Sequence, residues 1–198
     1  MPTQKKESQT KSNKNLFCGN ILISEPFIQD AYFFRSVVLL IRHDLNSSTG
    51  LVYNKKTDLF LNDFIKDLEF SKKIPLYLGG PVHQEKLFFI HSFEDVIIPN
   101  SIEIKEGLFF DGDFDTIKSL LLNNPSIINK QIKFFLGYAG WSKGQLNEEI
   151  AQNSWLIGQT DNRQIFKSSG DELWKEAVKS VGGPYEKWLH FPKAPYLN

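Results

Sequence analysis

The segment Ser36-Val37-Val38-Leu39-Leu40-Ile41 constrains this chain more than any other. After Ser36 it is continuously apolar, and β-branched and aliphatic side chains at that density predict a strand buried on both faces. Its neighbours read as further strands. Gly19 to Ser24 forms one, closed by Glu25-Pro26, and Thr49 to Asn54 another, preceded by the turn-prone Asn46-Ser47-Ser48. Leu76 to Leu78, Leu87 to Ile90, Ile132 to Tyr138 and Trp155 to Gly158 continue the series, with Ile102 to Ile104 and Leu108 to Phe110 shorter and more exposed.

Helical signals are fewer. Leu61, Phe64, Ile65 and Leu68 fall at i, i+3, i+4, i+7 and predict a short helix, with Thr57 or Asp58 as N-cap. Asp113 caps a second helix carrying Phe114, Ile117, Leu120 and Leu121, stopped by Asn123-Asn124-Pro125. A third runs from about Lys143 to Gln152. Ser169 and Glu172 have capping-box spacing before a fourth, with Leu173, Trp174, Ala177, Val178 and Val181, which Gly182-Gly183-Pro184 ends. The remainder through Asn198 is aromatic and Pro-containing and is expected to pack on the body. Strands come in runs without strict β-α-β alternation. The expectation is an α+β fold: a mixed, mostly antiparallel sheet flanked by helices, one compact domain over 16–198. Residues 1–15 contain no Leu, Ile, Val or aromatic side chain and are expected to be a disordered tail.

Composition weighs against several functions. Lys plus Arg and Asp plus Glu both number 23, so the formal net charge is zero. That argues against bulk DNA or an anionic membrane as partner, since Lys and Arg supply most non-specific nucleic-acid affinity. The one cysteine, Cys18, cannot form an internal disulfide, which fits a reducing compartment. It reads as a buried or semi-buried thiol, not a nucleophile. The polar N-terminus has no secretory apolar core, and no stretch approaches the ~20 apolar residues of a membrane span. A cytoplasmic protein without membrane contact is expected.

The most distinctive segment is Gly137-Tyr138-Ala139-Gly140-Trp141-Ser142-Lys143-Gly144-Gln145, continuing to Glu149. It reads as strand, glycine-rich turn, helix, with Ser142 and Gln145 at capping-box spacing. Glycines there let a backbone approach a ligand, and a helix start offers N–H groups to a phosphate or carboxylate. Alternatively the glycines only permit a sharp turn over which Tyr138 and Trp141 pack. The order of neither a P-loop nor a dinucleotide fingerprint is present. Gly79-Gly80-Pro81-Val82 is a second close-approach site, read as a chain reversal. With Asn54 and His91 it supplies the other walls of a candidate pocket at strand ends. The candidate ligand or partner surface is therefore Asn54, Gly79, Gly80, His91, Tyr138, Gly140, Trp141, Ser142, Gly144, Gln145 and Glu149.

His43, His83, His91 and His190 show no metal-ligand spacing, so no metal or other cofactor is expected. His43-Asp44 are neighbours on a strand, point to opposite faces and make no dyad. His91 is either a general base or a hydrogen-bonded strand-end histidine. No G-x-S-x-G is present. Glu148 and Glu149 project about 100° apart on a helix, so one faces solvent and the other reaches toward Arg or Lys.

Several blocks together resemble the AlgH/YqgE family of small bacterial proteins. They are Gly19 to Pro26, Phe34 to Leu40, Thr49 to Asn54, Tyr77 to Val82, Leu87 to His91, and Gly137 to Trp141 with Gly144 to Leu146, Glu149-Ile150 and Trp155. The resemblance covers about residues 16 to 181. It implies an α+β fold of unusual topology, a cytoplasmic location and a label of transcriptional regulator, with no catalytic residue to carry over. Where the family often has an acidic residue before the histidine of the second strand, this chain has Arg42. The expected function is a non-catalytic regulatory or interaction protein with a protein partner. Direct DNA binding is the weaker form, for want of a helix-turn-helix, basic stripe or zinc module. The alternative is a small-anion-binding protein or enzyme using the Gly137–Gly144 turn.

Overall fold

The computed structural model describes residues 16–68, 73–128, 130–166 and 170–193. The expected tail at 1–15 and the Ser169 half of the capping box lie outside the described residues. Ten strands form one sheet in the order β10-β1-β2-β3-β9-β6-β8-β7, with β5 also on β9 and β4 on β5. The strands are β1 (Ile21–Ser24), β2 (Val37–His43), β3 (Ser47–Val52), β4 (Lys56–Phe60), β5 (Pro75–Leu78), β6 (Val82–His91), β7 (Ile102–Lys105), β8 (Leu108–Phe110), β9 (Ile132–Ser142) and β10 (Trp155–Gly158). The helices are α1 (Phe114–Asn123), α2 (Gln145–Ala151), α3 (Asn162–Phe166) and α4 (Asp171–Val181). Every pairing between these strands is antiparallel except β5 with β9. The fold is α+β, as the sequence predicts.

The apolar run of β2 is buried from Val37 through Ile41 because the sheet has cover on both sides. One set of alternate residues, including Ile21, Ile23, Val37, Leu39, Leu51 and Phe135, packs in a central core with α4 and with Ile104 and Leu108. The other set, Leu22, Val38, Leu40 and Val52, packs with Trp141, Leu146 and Trp155. A third cluster joins α1, through Ile117 and Leu121, to Leu76, Phe89 and Phe134. Asp113 caps α1 as predicted, accepting from the Thr116 N–H at 2.8 Å.

The two ends of the sheet path approach each other across a side-chain bridge. On β7, Lys105 packs over Gly19 and donates to the Thr160 carbonyl, and Asn162 Nδ2 donates to Glu106 O at 2.9 Å. Helix α3, which carries Asn162, had no signal in the apolar periodicity.

Strand β9 organises the sheet. One of its edges is shared by β5, along Phe134 to Leu136, and β3, along Ala139 to Ser142; the other edge belongs to β6. The chain therefore passes from one side of β9 to the other between Leu78 and Val82. Two strands flanking a third are roughly 10 Å apart, and three residues reach about that far. The link has to lie directly on β9. A Cβ on Gly79 would stand 2.1 Å from Gly137 O, and one on Gly80 2.2 Å from the Tyr138 carbonyl carbon. The predicted reversal at Gly79-Gly80-Pro81 is thus a crossover.

Two expectations are corrected. The helix over Leu61 to Leu68 is a single 3-10 turn at Leu61–Asp63, and the proposed caps Thr57 and Asp58 lie in β4. Local polar bonds override the periodicity: Asn62 binds Leu68 O and Ile74 N, and Asp63 accepts from the Phe60 N–H. Leu61 and Leu68 are buried while Phe64 is exposed. The glycine-rich turn after Tyr138 is instead strand: β9 continues to Ser142, and only Lys143-Gly144 turn.

Candidate functional sites

The sequence-predicted residues do not converge on one cleft. Gly79, Gly80, Gly137 and Tyr138 belong to the crossover; Gly79, Gly80 and Gly137 are buried backbone contacts. Tyr138 packs edge-on against Phe88 and beside His83. Gly140 lies exposed on β9 between them and the turn.

Trp141, Gln145 and Glu149 form a closed polar cluster. The Glu149 carboxylate accepts from the indole N–H of Trp141 at 2.8 Å and of Trp155 at 2.7 Å, and from Gln145 Nε2 at 2.9 Å. Of Glu148 and Glu149, Glu149 is the one that turns inward, and two tryptophan donors and an amide take the place of the expected Arg or Lys. The cluster fixes α2 against β9 and β10. Ser142 does not cap α2. Gly144 holds the N-cap position at φ 78°, and the Ser142 N–H donates to Gln145 Oε1 at 3.0 Å, which is one half of the predicted capping box.

Ser142 and Gly144 do border an open groove of about 470 Å³ with Lys143, Leu146, Asn147 and the β2–β3 hairpin. At the hairpin tip Leu45 is 89% exposed. Cross-strand partners His43 and Ser48 meet through Nδ1 and Oγ at 2.8 Å. Asp44 points elsewhere: it accepts from the Asn46 and Ser47 N–H groups and pairs with Arg42, which hold its carboxyl below the usual range. His43 and Asp44 thus bind different partners. Among the described residues no ion pair holds Lys143.

Asn54 and His91 are each 1% exposed and lie off any surface. Asn54 joins three segments: Oδ1 accepts from Val37 N, and Nδ2 donates to Arg35 O and to Gly170 O, the N-cap of α4. The ring of His91 is stacked between Phe93 at 5.1 Å and Phe109 at 5.3 Å. Neither ring nitrogen has a hydrogen-bond partner of good geometry among the described residues. Burial pushes this histidine down to about 4, against a smaller opposing effect of the Asp111 backbone. The unfolded chain binds a proton near pH 6.5 and the folded one only near 4, so stability falls as pH drops through that window. Between pH 7 and pH 5 the difference amounts to an effect of order 1–2 kcal/mol. Urea unfolding at pH 7 and pH 5 is expected to show this loss in the wild type and its absence in His91→Phe. An equal loss in both would place the acid sensitivity elsewhere.

Sequence reasoning missed Lys133, inside the apolar stretch of β9, and Arg35, inside the second strand's approach. Both are charged side chains at 1% and 4% exposure. The signal available was a basic residue interrupting an otherwise apolar run.

A curled ten-stranded α+β sheet with this crossover defines the structural class. Residues 21–186 match the family model described as AlgH-like, and the chain belongs to that family. A UPF0301 protein of Parabacteroides distasonis is 52% identical over 180 residues, 91% of this chain and 90% of the relative. One of Bacteroides thetaiotaomicron is 44% identical over the same shares. The solution structure of AlgH from Pseudomonas aeruginosa superposes with a TM-score of 0.69 at 25% identity, covering 92% of this chain and 97% of that one. A crystal structure of a Corynebacterium diphtheriae protein shares the fold at TM-score 0.74 and 19% identity, over 89% and 93% of the two chains. These names state no activity. Among the described residues no helix is long and apolar enough to cross a membrane.

Proposed function

We propose that this protein acts in the cytoplasm as a regulatory or interaction protein, by binding a protein partner at the hairpin groove and without catalysis. The observation that carries the reading is Leu45, 89% exposed at the hairpin tip beside that groove. Asp44 is neutralised locally by Arg42 and two N–H groups, which leaves Lys143 as the groove's uncompensated charge among the described residues. The fitting partner is a segment that sets an apolar side chain on Leu45 and a carboxylate on Lys143.

The test is affinity capture of the tagged protein from its native lysate, with and without nuclease. A partner recovered by the wild type and by Ile97→Asp, a change at another exposed apolar residue, is expected to be lost from Leu45→Asp and from Lys143→Glu. Recovery unaffected by both groove variants overturns the reading, and nuclease-sensitive recovery shifts it to nucleic acid. A second reading, small-anion binding or catalysis at the same groove, draws on the His43–Ser48 pair. Helix α2, at seven residues, adds little dipole to it. Ser48→Ala leaves capture unchanged under the first reading and removes ligand binding or turnover under the second.

A further inference from the structure

We propose that Arg35 is the centre of an oxyanion-binding site covered by residues 191–193, and that its ligand is a phosphate or carboxylate group. The Arg35 side chain is 4% exposed, yet its hydrogen bonding is incomplete. Nη2 donates to the Phe191 carbonyl at 2.6 Å, and Nη1 reaches Asp171 only at 3.4 Å. Nε has no partner among the described residues. In a guanidinium, Nε–H and one Nη2–H lie on the same edge and point the same way. That edge fits two oxygens of one planar or tetrahedral anion. Here Nη2 meets one carbonyl oxygen and Nε meets none among the described residues.

The surroundings favour an anion. The next residue, Ser36, is fully buried, and its hydroxyl also has no partner among the described residues. Arg35 itself sits at φ 47°, a left-handed conformation unusual for a side chain of this size. Asn54 holds it there by accepting from Val37 N and donating to Arg35 O, and by the same amide ties it to Gly170 at the start of α4. The eleven-residue α4 begins at Asp171, so its positive end adds to the same side. The cations are Arg35, Lys55 and Lys193; the carboxylates are Asp171, which Arg35 and Lys193 share, and Asp30, which with Asp171 acts on Lys55. Three positive charges meet two negative ones. The guanidinium carbon lies 5.0 Å from the centre of the Trp174 ring and 5.7 Å from that of Phe34, so both aromatic faces contact the cation.

The cover is thin. It consists of the Phe191 carbonyl, the Lys193–Asp171 ion pair and the Phe27–Phe191 ring contact at 4.7 Å. The preceding 3-10 segment stays anchored by the buried Trp188. Residues 191–193 can therefore lift off the Arg35 guanidinium at the cost of the packing of Phe191 on the edge of the central core, while Trp188 holds the segment before them.

The test is a nuclear magnetic resonance titration of the full, isotope-labelled chain with inorganic phosphate, and separately with acetate, at constant ionic strength against chloride. The expected result is a saturable shift of the Arg35 Nε–H resonance together with the amides of Phe191 and Lys193. Saturation by phosphate, or by acetate alone, assigns the ligand class. Phe27→Ala removes a ring contact of the cover without changing its charge and is expected to bind at least about threefold tighter; Arg35→Lys keeps the charge, loses the fork and is expected to bind about tenfold weaker. If both anions leave the Nε–H where chloride leaves it, or if Phe27→Ala binds no tighter, the site is overturned. Those two measurements decide the matter even if Arg35→Lys fails to fold.

Discussion

Gly80→Ala is expected to abolish the fold, whereas Gly144→Ala is expected to be tolerated. Both residues belong to glycine-rich stretches that look alike in the sequence. At Gly80 an added Cβ would lie 2.2 Å from the Tyr138 carbonyl carbon, 2.3 Å from Ala139 N and 2.3 Å from Tyr138 O, at φ 155°. All three atoms are backbone of the central strand, so none can rotate away. Relief requires moving β9 off β5 or β6, and β9 pairs with both and with β3. The loss is at least about 4 kcal/mol, comparable with the whole stability of a domain. At Gly144 nothing lies within 4 Å, and only the left-handed φ of 78° resists a side chain, at roughly 1 kcal/mol. Thermal unfolding of the two variants beside the wild type checks the contrast. Equal midpoints for Gly80→Ala and Gly144→Ala would mean that the crossover does not press on β9.

The same pair of glycines shows what the chain reveals before folding. Elements fixed by local chemistry were legible. The Asp113 cap of α1, the doubly buried run of β2 and the four residues of β10 could be placed from short-range pattern alone. Elements fixed by a distant partner were not. The stretch after Tyr138, through Trp141, reads as a turn because glycine is rare within strands. Gly137 just before it serves the chain that crosses at Gly79 and Gly80, almost sixty residues earlier in sequence, while Gly140 lies exposed beside Tyr138. The Leu61 to Leu68 spacing fails as a helix because Asn62 and Asp63 bind backbone groups around it. The candidate site divides for the same reason. Glycine and polar positions were grouped by residue type, and folding sorts them into a crossover, a tryptophan–glutamate cluster, an interior amide staple and a groove. Only Ser142 and Gly144 of those predicted reach that groove.

Lys133→Met is expected to remove a rise in stability with pH that the wild type shows between pH 6 and pH 9. Lys133 is 1% exposed on β9. Its Nζ donates to the Tyr53 carbonyl at 3.1 Å and the Ile165 carbonyl at 2.9 Å, and lies 4.2 Å from the centre of the Tyr77 ring. These contacts favour the ammonium form, and burial opposes it more strongly, lowering the amine to about 7. In the unfolded chain it titrates near 10.5. Between those values the unfolded state holds a proton that the folded state has lost, so raising the pH stabilises the fold; below pH 7 the full penalty of the buried charge is present. From pH 6 to pH 9 the wild type should gain about 2–3 kcal/mol relative to Lys133→Met. Methionine fills a similar volume but leaves two carbonyls without their donor, at about 1 kcal/mol each. The variant should therefore be close to wild type at pH 6 and less stable at pH 9. Chemical denaturation at the two pH values measures the difference directly. Parallel behaviour of the two proteins would show that the carbonyls and the Tyr77 face keep the ammonium charged throughout. The amine bonds the Ile165 carbonyl at the end of α3, so its protonation state also sets how firmly that helix is tied to the central strand.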